Sequence, residues 1–220
     1  MNIKREERVL LIINCLAEHG NKRFKRLYEF IETAGVDLAM RYLKGHYRQV
    51  IVMKEKEATL AAFLSCLQEL SADRRNLAVD VFFQLHGLQR KVRFYDCWVS
   101  SFTLGREIRR VVARDCLRLL YNTSCYGDSH SDVFLKAGFR VSIGAMGINT
   151  NGATEYPLFC RLWPVSAYRK RRPLTVIEIM RRADRVLPRR IQDRIAGLYF
   201  SDVDSKKMIR GDRNIHINRI

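Results

Sequence analysis

Two short segments of the sequence combine residue types that can perform nucleophilic chemistry. One apolar run stops at His86 and Gly87, and a later apolar run stops at Ser124 and Cys125. A cysteine thiolate is a strong nucleophile, and a nearby imidazole can accept the thiol proton and then deliver it to a leaving group. The backbone N–H groups of Gly87 and Cys125 can hold the oxyanion of a tetrahedral intermediate. The pattern predicts Cys125 as nucleophile and His86 as its acid–base partner.

Other interpretations compete with this assignment. His19 also follows an apolar run, but it trails that run by several residues within a basic, polar stretch. His130 lies close to Cys125 in a polar segment, where one interpretation is a loop-borne role near the site and the favoured one is a solvated loop histidine. A cysteine that follows an apolar strand is often a small core residue instead of a nucleophile. The pairing of Cys125 with a strand that ends in His-Gly favours catalysis.

The elements that must position these residues follow from hydrophobic periodicity. Strand-like runs alternate with helical patterns over the first two thirds of the chain, which predicts an α/β fold with a mostly parallel sheet and helices on both faces. The predicted strands are 9–16, 49–53, 77–85, 117–123 and 140–146, with a hairpin at 91–99 and a further strand pattern at 214–218. The predicted helices are 24–43, which Gly35 can break, 58–70, 104–113, 132–137, 153–163 and 175–186. Functional groups gather at the carboxyl ends of strands in such sheets, so His86 and Cys125 are expected at one edge.

Length and composition limit the class of protein. The 220 residues favour one domain, with a core at about 8–186 and a basic C-terminal extension at 187–220. No apolar stretch reaches the roughly 20 residues that cross a bilayer, and the N-terminus lacks the apolar region of a secretory signal. The widely spaced cysteines indicate free thiols and a reducing, cytoplasmic location. The absence of CxxC and CxxH pairs argues against a metal site.

The formal charge of +17 is the other prominent feature of the sequence. A basic surface attracts nucleic acid, anionic membranes or acidic proteins, although charge alone does not identify a binding module. The best candidate contact for a polyanion or an acidic protein partner is the run Arg169, Lys170, Arg171 and Arg172. GxGxxG and GxxxxGK[ST] motifs are absent, which leaves a nucleotide-binding fold unsupported.

The two strand ends also carry a family resemblance. VDVFFQLHG at 79–87 and LRLLYNTSCYG at 117–127 resemble the paired motifs of caspase-like (clan CD) cysteine peptidases, in which one apolar run ends in His-Gly and a later one in Ala/Ser-Cys. The segment 134–163 resembles the helix, strand, polar loop and long helix that follow the nucleophile, and PLTVIEIMRRA resembles the closing helix of bacterial CHAT-type members. The resemblance covers about residues 8–185 and implies a caspase-hemoglobinase-like three-layer sandwich.

The same resemblance implies a cysteine endopeptidase that hydrolyses protein substrates through an acyl-enzyme and needs no cofactor. Residues 123–127 read Thr-Ser-Cys-Tyr-Gly where caspases have Gln-Ala-Cys-Arg-Gly, which argues against a strict requirement for aspartate in the substrate. The candidate substrate-binding residues implied by the family are Asn14, Thr123, Asn149, Thr150 and Asn151. Thr123 takes the place of an acidic residue in relatives that cut after Arg or Lys, and the polar loop 147–151 implies a pocket for a neutral side chain. Asn14 takes the place of a residue that orients the histidine in legumain-like members.

Three alternatives stay open from the sequence. The loop 149–151 is equally typical of a simple turn, since asparagine and glycine favour turns. A catalytically silent caspase-like module could use its basic surface to bind nucleic acid or an acidic protein. An acyltransferase would need the same nucleophile and oxyanion site as a peptidase.

Overall fold

The computed structural model describes residues 2–20, 22–150, 152–167, 172–186 and 189–219. The strands are β1 (Arg8–Cys15), β2 (Gln49–Lys54), β3 (Ala78–Leu88), β4 (Lys91–Arg93), β5 (Trp98–Ser100), β6 (Leu117–Asn122), β7 (Val141–Ala145), β8 (Ser166–Ala167), β9 (Arg172–Pro173) and β10 (Lys207–Gly211). The α-helices are α1 (Lys25–Leu43), α2 (Leu60–Ala72), α3 (Ser101–Val111), α4 (Asp128–Lys136), α5 (Gly152–Leu162), α6 (Val176–Val186) and α7 (Arg189–Ala196).

The main sheet places four consecutive strand ends at one edge. Its order is β10-β7-β6-β3-β1-β2, in which β7, β6, β3, β1 and β2 are parallel and β10 is antiparallel to β7. The end of β3 also pairs with β4, which forms the predicted hairpin with β5. Parallel strands direct their carboxyl ends to the same edge, so the ends of β1, β3, β6 and β7 lie side by side.

Helices cover both faces of this sheet. Successive side chains of a buried strand point to opposite faces, and the strands here are apolar on both. One face packs against α2, α3 and α4, through residues that include Leu11, Phe83, Phe63, Leu104 and Phe134. The other packs against α1, α5 and α6, through residues that include Ile12, Phe82, Ala39, Phe159 and Ile179. The three-layer α/β arrangement predicted from the sequence is confirmed.

Helix boundaries follow local chemistry where a side chain caps the first turn. The Oγ1 of Thr59 accepts a hydrogen bond from the N–H of Ala62 at the start of α2, and Ser100 does the same for Thr103 at the start of α3. Helix α1 is continuous through Gly35 and does not break there. A Cβ atom at this position would lie 2.3 Å from Nε2 of Gln84, so the glycine permits α1 to approach β3.

The C-terminal segment belongs to the core, which therefore extends beyond the boundary expected at residue 186. The strand lies at Lys207–Gly211, not at 214–218, and it pairs with the edge of β7. Ile209, Ile215 and Ile217 are buried in the same cluster as α5 and α6. A further strand satisfies backbone groups of β7 that an exposed edge would leave unpaired.

Two further observations concern the whole described chain. No helix among the described residues has the length and apolar character needed to cross a membrane. All six cysteines, each of which lies in a described segment, are free thiols.

Candidate active site

The carboxyl edge of the sheet brings the His86 strand against the cysteine turn. Strand β3 continues past His86, and β6, its parallel neighbour, ends at Asn122 just before the turn. A Cβ atom on Gly87 would lie 2.5 Å from the carbonyl oxygen of Cys125 and 2.8 Å from Oγ of Ser124. Any side chain at position 87 would collide with the backbone of the turn. Glycine at this position therefore allows the two segments to touch.

One imidazole nitrogen of His86 is bound by the backbone. Its Nε2 lies 2.7 Å from the carbonyl oxygen of Leu16, in the loop after β1. A carbonyl oxygen can only accept a hydrogen bond, so Nε2 carries the proton and Nδ1 of the neutral ring is left as a base. The Tyr28 ring meets the imidazole edge-on at a centroid distance of 5.1 Å. Burial lowers the pKa of His86, and the bond to Leu16 only partly opposes that effect.

The Cys125 thiol is held in its protonated form by its surroundings. Burial raises its pKa, against the opposing effects of the Asn149 backbone N–H, the charge of Lys207 and its own backbone N–H. The pKa of Tyr28 is raised by burial and then by Cys125, so this phenol lies near both His86 and the thiol. Within the described residues no hydrogen bond joins His86 to Cys125 directly. Each side chain is instead held by the surrounding protein.

The turn that carries the cysteine has an unusual backbone conformation. Tyr126, the residue after Cys125, has a φ of 55°, in the left-handed region that side chains other than glycine rarely adopt. The N–H of Tyr126 donates to the carbonyl oxygen of Gly147 at 2.8 Å, which ties the turn to the loop after β7. Such a conformation persists only where the surrounding structure imposes it, as functional turns often require.

A buried polar network lies beside the cysteine turn. The side-chain Nδ2 of Asn149 donates to the Thr123 carbonyl oxygen at 2.6 Å, and its Oδ1 accepts from Nζ of Lys207 at 2.7 Å. Lys207 lies 3.7 Å from Oε1 of Glu155, which also accepts a 2.9 Å hydrogen bond from the Tyr121 hydroxyl. Lys207 and Glu155 are both almost completely buried. The network connects β6, β10 and α5 to the loop after β7.

His130 lies in the same region, but in a buried helix and not in a solvated loop. It lies in α4 and is fully buried, whereas a solvated loop position was expected. Its Nε2 donates to the carbonyl oxygen of Leu88 at 2.9 Å, and its Nδ1 accepts from Nδ2 of Asn122 at 3.2 Å. The Oδ1 of Asn122 in turn accepts from the backbone N–H and the hydroxyl of Ser124. His130 thus links the end of the histidine strand to the cysteine turn.

The other residues of the polar loop are only partly described. The Oγ1 of Thr150 donates to Oδ1 of Asp193 at 3.1 Å, and its N–H donates to Oγ of Ser205 at 2.8 Å. Asn151 lies outside the described residues.

Thr123 lies at the end of β6, outside this loop. Its hydroxyl donates a hydrogen bond to the Phe83 carbonyl oxygen at 2.8 Å, which connects the end of β6 to β3.

Asn14 does not bind the histidine. Its side chain is buried, and its Nδ2 donates to the backbone carbonyl oxygen of Glu32 at 3.0 Å. The backbone of Leu16, two residues later, makes the contact with His86 that the resemblance implied for Asn14. The rival base His19 places its Nε2 2.7 Å from the carbonyl oxygen of Tyr95.

The basic run expected to bind a polyanion lies mostly outside the described residues, which exclude Arg169, Lys170 and Arg171. Arg172 is described, and it forms two hydrogen bonds with the carboxylate of Glu178, at 2.9 and 3.0 Å. This guanidinium is therefore already engaged within the protein.

Comparison with known proteins identifies the fold of the chain through solved structures. No protein-family model matches the sequence, and no curated protein matches it. Among solved structures, the chain is similar to the Drosophila initiator caspase Dronc, with a TM-score of 0.57 and 12% identity over 100% of this chain and 84% of that one. It is also similar to the structure of a protease, with a TM-score of 0.56 and 13% identity over 97% of this chain. This chain has a caspase-like fold.

A third similar structure is a secreted C11 cysteine protease from Bacteroides thetaiotaomicron bound to an irreversible peptide inhibitor. The identity is 12% over 70% of this chain, and the TM-score is 0.46. The caspase-like chain spans 53% of that protease and 48% of the second structure above, or about half of each. The fold resemblance stated from the sequence is confirmed by the similarity to the caspase.

Several residues of the candidate site escaped the sequence analysis. Leu16 acts through its backbone, so its side-chain type carries no signal. Tyr28 and Lys207 lie in segments whose local pattern is ordinary for a helix or an edge strand. Glu155 is the exception: a carboxylate on the apolar side of the amphipathic helix α5 is a signal of a buried polar partner.

Proposed function

We propose that this protein is a cysteine endopeptidase that hydrolyses peptide bonds in protein substrates through an acyl-enzyme on Cys125. The observation that carries this proposal is the close approach of the His86-Gly87 strand end to the Cys125 turn, which requires glycine at position 87. The bond between Nε2 of His86 and the Leu16 carbonyl supports it further, because Nδ1 is then available as a base. The caspase-like fold is consistent with this chemistry.

The protonation states favour general-base catalysis. Burial raises the pKa of the Cys125 thiol and lowers that of His86, so both groups are uncharged at neutral pH. As Sγ attacks the carbonyl carbon of the substrate, the thiol proton passes to Nδ1 of His86. The carbonyl oxygen becomes an oxyanion and accepts hydrogen bonds from the N–H groups of Gly87 and Cys125.

The remaining steps return the site to its starting state. The His86 imidazolium donates its proton to the leaving amine as the peptide bond breaks, which leaves a thioester on Cys125. A water molecule then attacks the thioester while His86 accepts its proton. Collapse of this second intermediate breaks the carbon–sulfur bond and releases the acid product, and the proton returns to sulfur. None of these steps needs a cofactor.

Substrate selection is proposed to favour a neutral side chain next to the scissile bond. The loop of Asn149 and Thr150 lies beside Cys125, and the Asn149 backbone N–H acts on the thiolate. Lys207, the cation that acts on the Cys125 thiol, lies 3.7 Å from the Glu155 carboxylate, so the pair has no net charge. A reducing compartment such as the cytoplasm is expected, because oxidation of the thiol would remove the nucleophile.

Affinity labelling tests the proposal directly. Peptide acyloxymethyl ketones that vary in the side chain next to the warhead should alkylate Cys125, with neutral side chains preferred, and mass spectrometry would locate the adduct. His86→Ala should reduce the labelling rate by about 10²-fold or more, which is the usual contribution of an acid–base group. Cleavage of the matching peptide amides should be lost in Cys125→Ala.

Cys97 provides the matched control for labelling. It is also half-buried with a raised thiol pKa, but it lies in the hairpin region and away from the proposed dyad in sequence. Cys97→Ala should leave both labelling and cleavage unchanged. Equal labelling of Cys97 and Cys125, or labelling of Cys125 that is insensitive to His86→Ala, would count against a peptidase.

A further inference from the structure

A single loop residue, Leu16, connects His86 to a carboxylate on α1. The Leu16 carbonyl oxygen accepts the His86 Nε2–H bond at 2.7 Å, on one side of the loop after β1. On the other side, the Glu32 carboxylate accepts a hydrogen bond from the backbone N–H of Leu16. The N–H and the C=O of one residue can bond different partners, so the backbone of Leu16 links the two side chains.

The connection is fixed at both ends. The backbone carbonyl oxygen of Glu32 accepts a 3.0 Å hydrogen bond from Asn14, which is buried at the end of β1. The side chain and the main chain of Glu32 therefore hold both sides of the junction between β1 and the loop. The loop has no regular secondary structure between Leu16 and Gly20, so these bonds are a major constraint on where the Leu16 carbonyl points.

The arrangement also has an electrostatic consequence. Glu32 holds the residue whose carbonyl oxygen binds His86, which brings a carboxylate close to the imidazole. A negative charge close to an imidazole favours the protonated ring, which is the form that His86 takes during catalysis.

We propose that Glu32 is a positioning residue for His86, which acts through the backbone of Leu16 to fix the imidazole tautomer and to stabilise its protonated form. The carboxylate takes the part that a directly bound aspartate takes in a serine-protease triad. This inference rests on the proposed role of His86 as the base. It adds a residue that touches neither the histidine nor the substrate.

Other charged groups also act on Glu32 and His86, and their effects on the His86 pKa must be distinguished from that of Glu32. The charged and titratable groups that surround Glu32 and His86 are Lys54 and Glu55 at the end of β2, His19 and Glu18 in the loop, Cys15 at the end of β1, Arg93 opposite His86 on β4 and Tyr28 on α1. Glu55 is the most useful comparison, because it affects the Glu32 carboxylate through space.

The test is a nitrogen-15 NMR titration of His86 in the full chain, which reports tautomer and pKa without any need for activity. Glu32→Gln keeps the shape and an acceptor oxygen but removes the charge. We expect the His86 pKa to fall by about 0.5–1 unit in this variant, since a nearby negative charge favours the protonated ring. Glu55→Gln should shift it by less than half as much, and Glu29→Gln, an exposed change on the same helix, should have no effect. Glu32→Asp restores the charge and should recover part of the pKa.

Kinetics provides the second measurement. In Glu32→Gln, kcat should fall by about 10-fold with KM little changed, and the acid limb of the pH–rate profile should move with the His86 pKa.

An unchanged His86 pKa and tautomer in Glu32→Gln would overturn the inference even if the protein is an active peptidase. A shifted pKa in a protein without peptidase activity would instead refute the proposed function alone. If Glu32→Gln does not fold, the tautomer of His86 in the wild-type protein decides, and a neutral ring with its proton on Nδ1 would overturn the inference.

Discussion

Two side chains with opposite pKa shifts define the resting state of the site. The Leu16 carbonyl keeps the proton of neutral His86 on Nε2, and burial lowers the pKa of the ring. The Asn149 N–H and Lys207 favour a Cys125 thiolate, but burial outweighs them and raises the thiol pKa above its ordinary value of 9.0. The pair therefore rests as a thiol and a neutral imidazole. This differs from the thiolate–imidazolium pairs that other cysteine enzymes maintain.

The rate of Cys125 alkylation by iodoacetamide should therefore increase steadily with pH. Because the thiol pKa lies above 9.0, the thiolate fraction should rise about tenfold per pH unit between about pH 6 and pH 8. Mass spectrometry of the Cys125 peptide would give the rate, and Cys97, whose thiol pKa is also raised, provides a comparison within the same sample. A rate that is already constant from about pH 6 would contradict the prediction, because it would indicate an ion pair.

Contacts between elements set the position of the cysteine turn. A Cβ atom on Gly144 in β7 would lie 2.2 Å from the carbonyl carbon of Gly127 and 2.5 Å from the nitrogen of Asp128. These are backbone atoms, which cannot move by a simple side-chain rotation. Helix α4 begins at Asp128, directly after the turn, so its distance from β7 also determines where Cys125 lies. His130 on the same helix then joins the turn to the end of β3.

Gly144→Ala should destabilise the fold by about 1–3 kcal/mol, the usual cost of overpacking a buried contact. It should also slow labelling of Cys125, because α4 must move away from β7. Gly45→Ala is the matched control, since nothing lies within 4 Å of its Cβ position, and its effect should stay within about 0.5 kcal/mol. Urea unfolding midpoints would measure both variants. Equal midpoints for the two variants would show that the α4–β7 contact tolerates a methyl group.

A buried ion pair connects distant parts of the chain at the end of the sheet opposite the candidate site. Arg118 in β6 and Asp80 in β3 are both completely buried and form a salt bridge. The Tyr47 hydroxyl donates to Asp80 at 2.6 Å, and Arg118 donates to the carbonyl oxygen of Ile217 near the C-terminus. The pair thus connects the two strands of the site to the segment that completes the core.

Arg118→Met should destabilise the protein by about 3–5 kcal/mol, because it leaves the Asp80 carboxylate buried without its partner. Replacing both partners, with Arg118→Met and Asp80→Leu together, should recover most of that loss. Arg140→Met removes a surface pair with Asp115, whose side chains are 38% and 71% exposed, and should cost less than about 1 kcal/mol. Chemical denaturation measures all three, and a double variant no more stable than Arg118→Met would argue that the ion pair itself stabilises the fold.

The local sequence pattern was enough to predict most strands and helices of this protein and its candidate dyad. Period-two and continuous apolar runs indicated the parallel strands, helical spacing indicated the covering helices, and the strand ends at His86 and Cys125 indicated the candidate dyad. These features depend on residues within one element, where burial imposes a regular alternation. The same reasoning placed Gly87 beside the dyad, but it offered no measure of how close the approach is.

Contacts between distant segments required the tertiary structure. Leu16 binds His86 across 70 positions, His130 connects two strand ends, and Lys207 reaches Glu155 and Asn149 from the C-terminal strand. The family resemblance assigned Asn14 to the histidine, whereas the loop turns so that the Leu16 backbone makes that contact. Sequence pattern left the C-terminal segment outside the core, because a short edge strand has too few residues for a periodic signal. Such contacts are made by backbone atoms and by side chains that look ordinary in their own segment, so only chain packing in three dimensions reveals them.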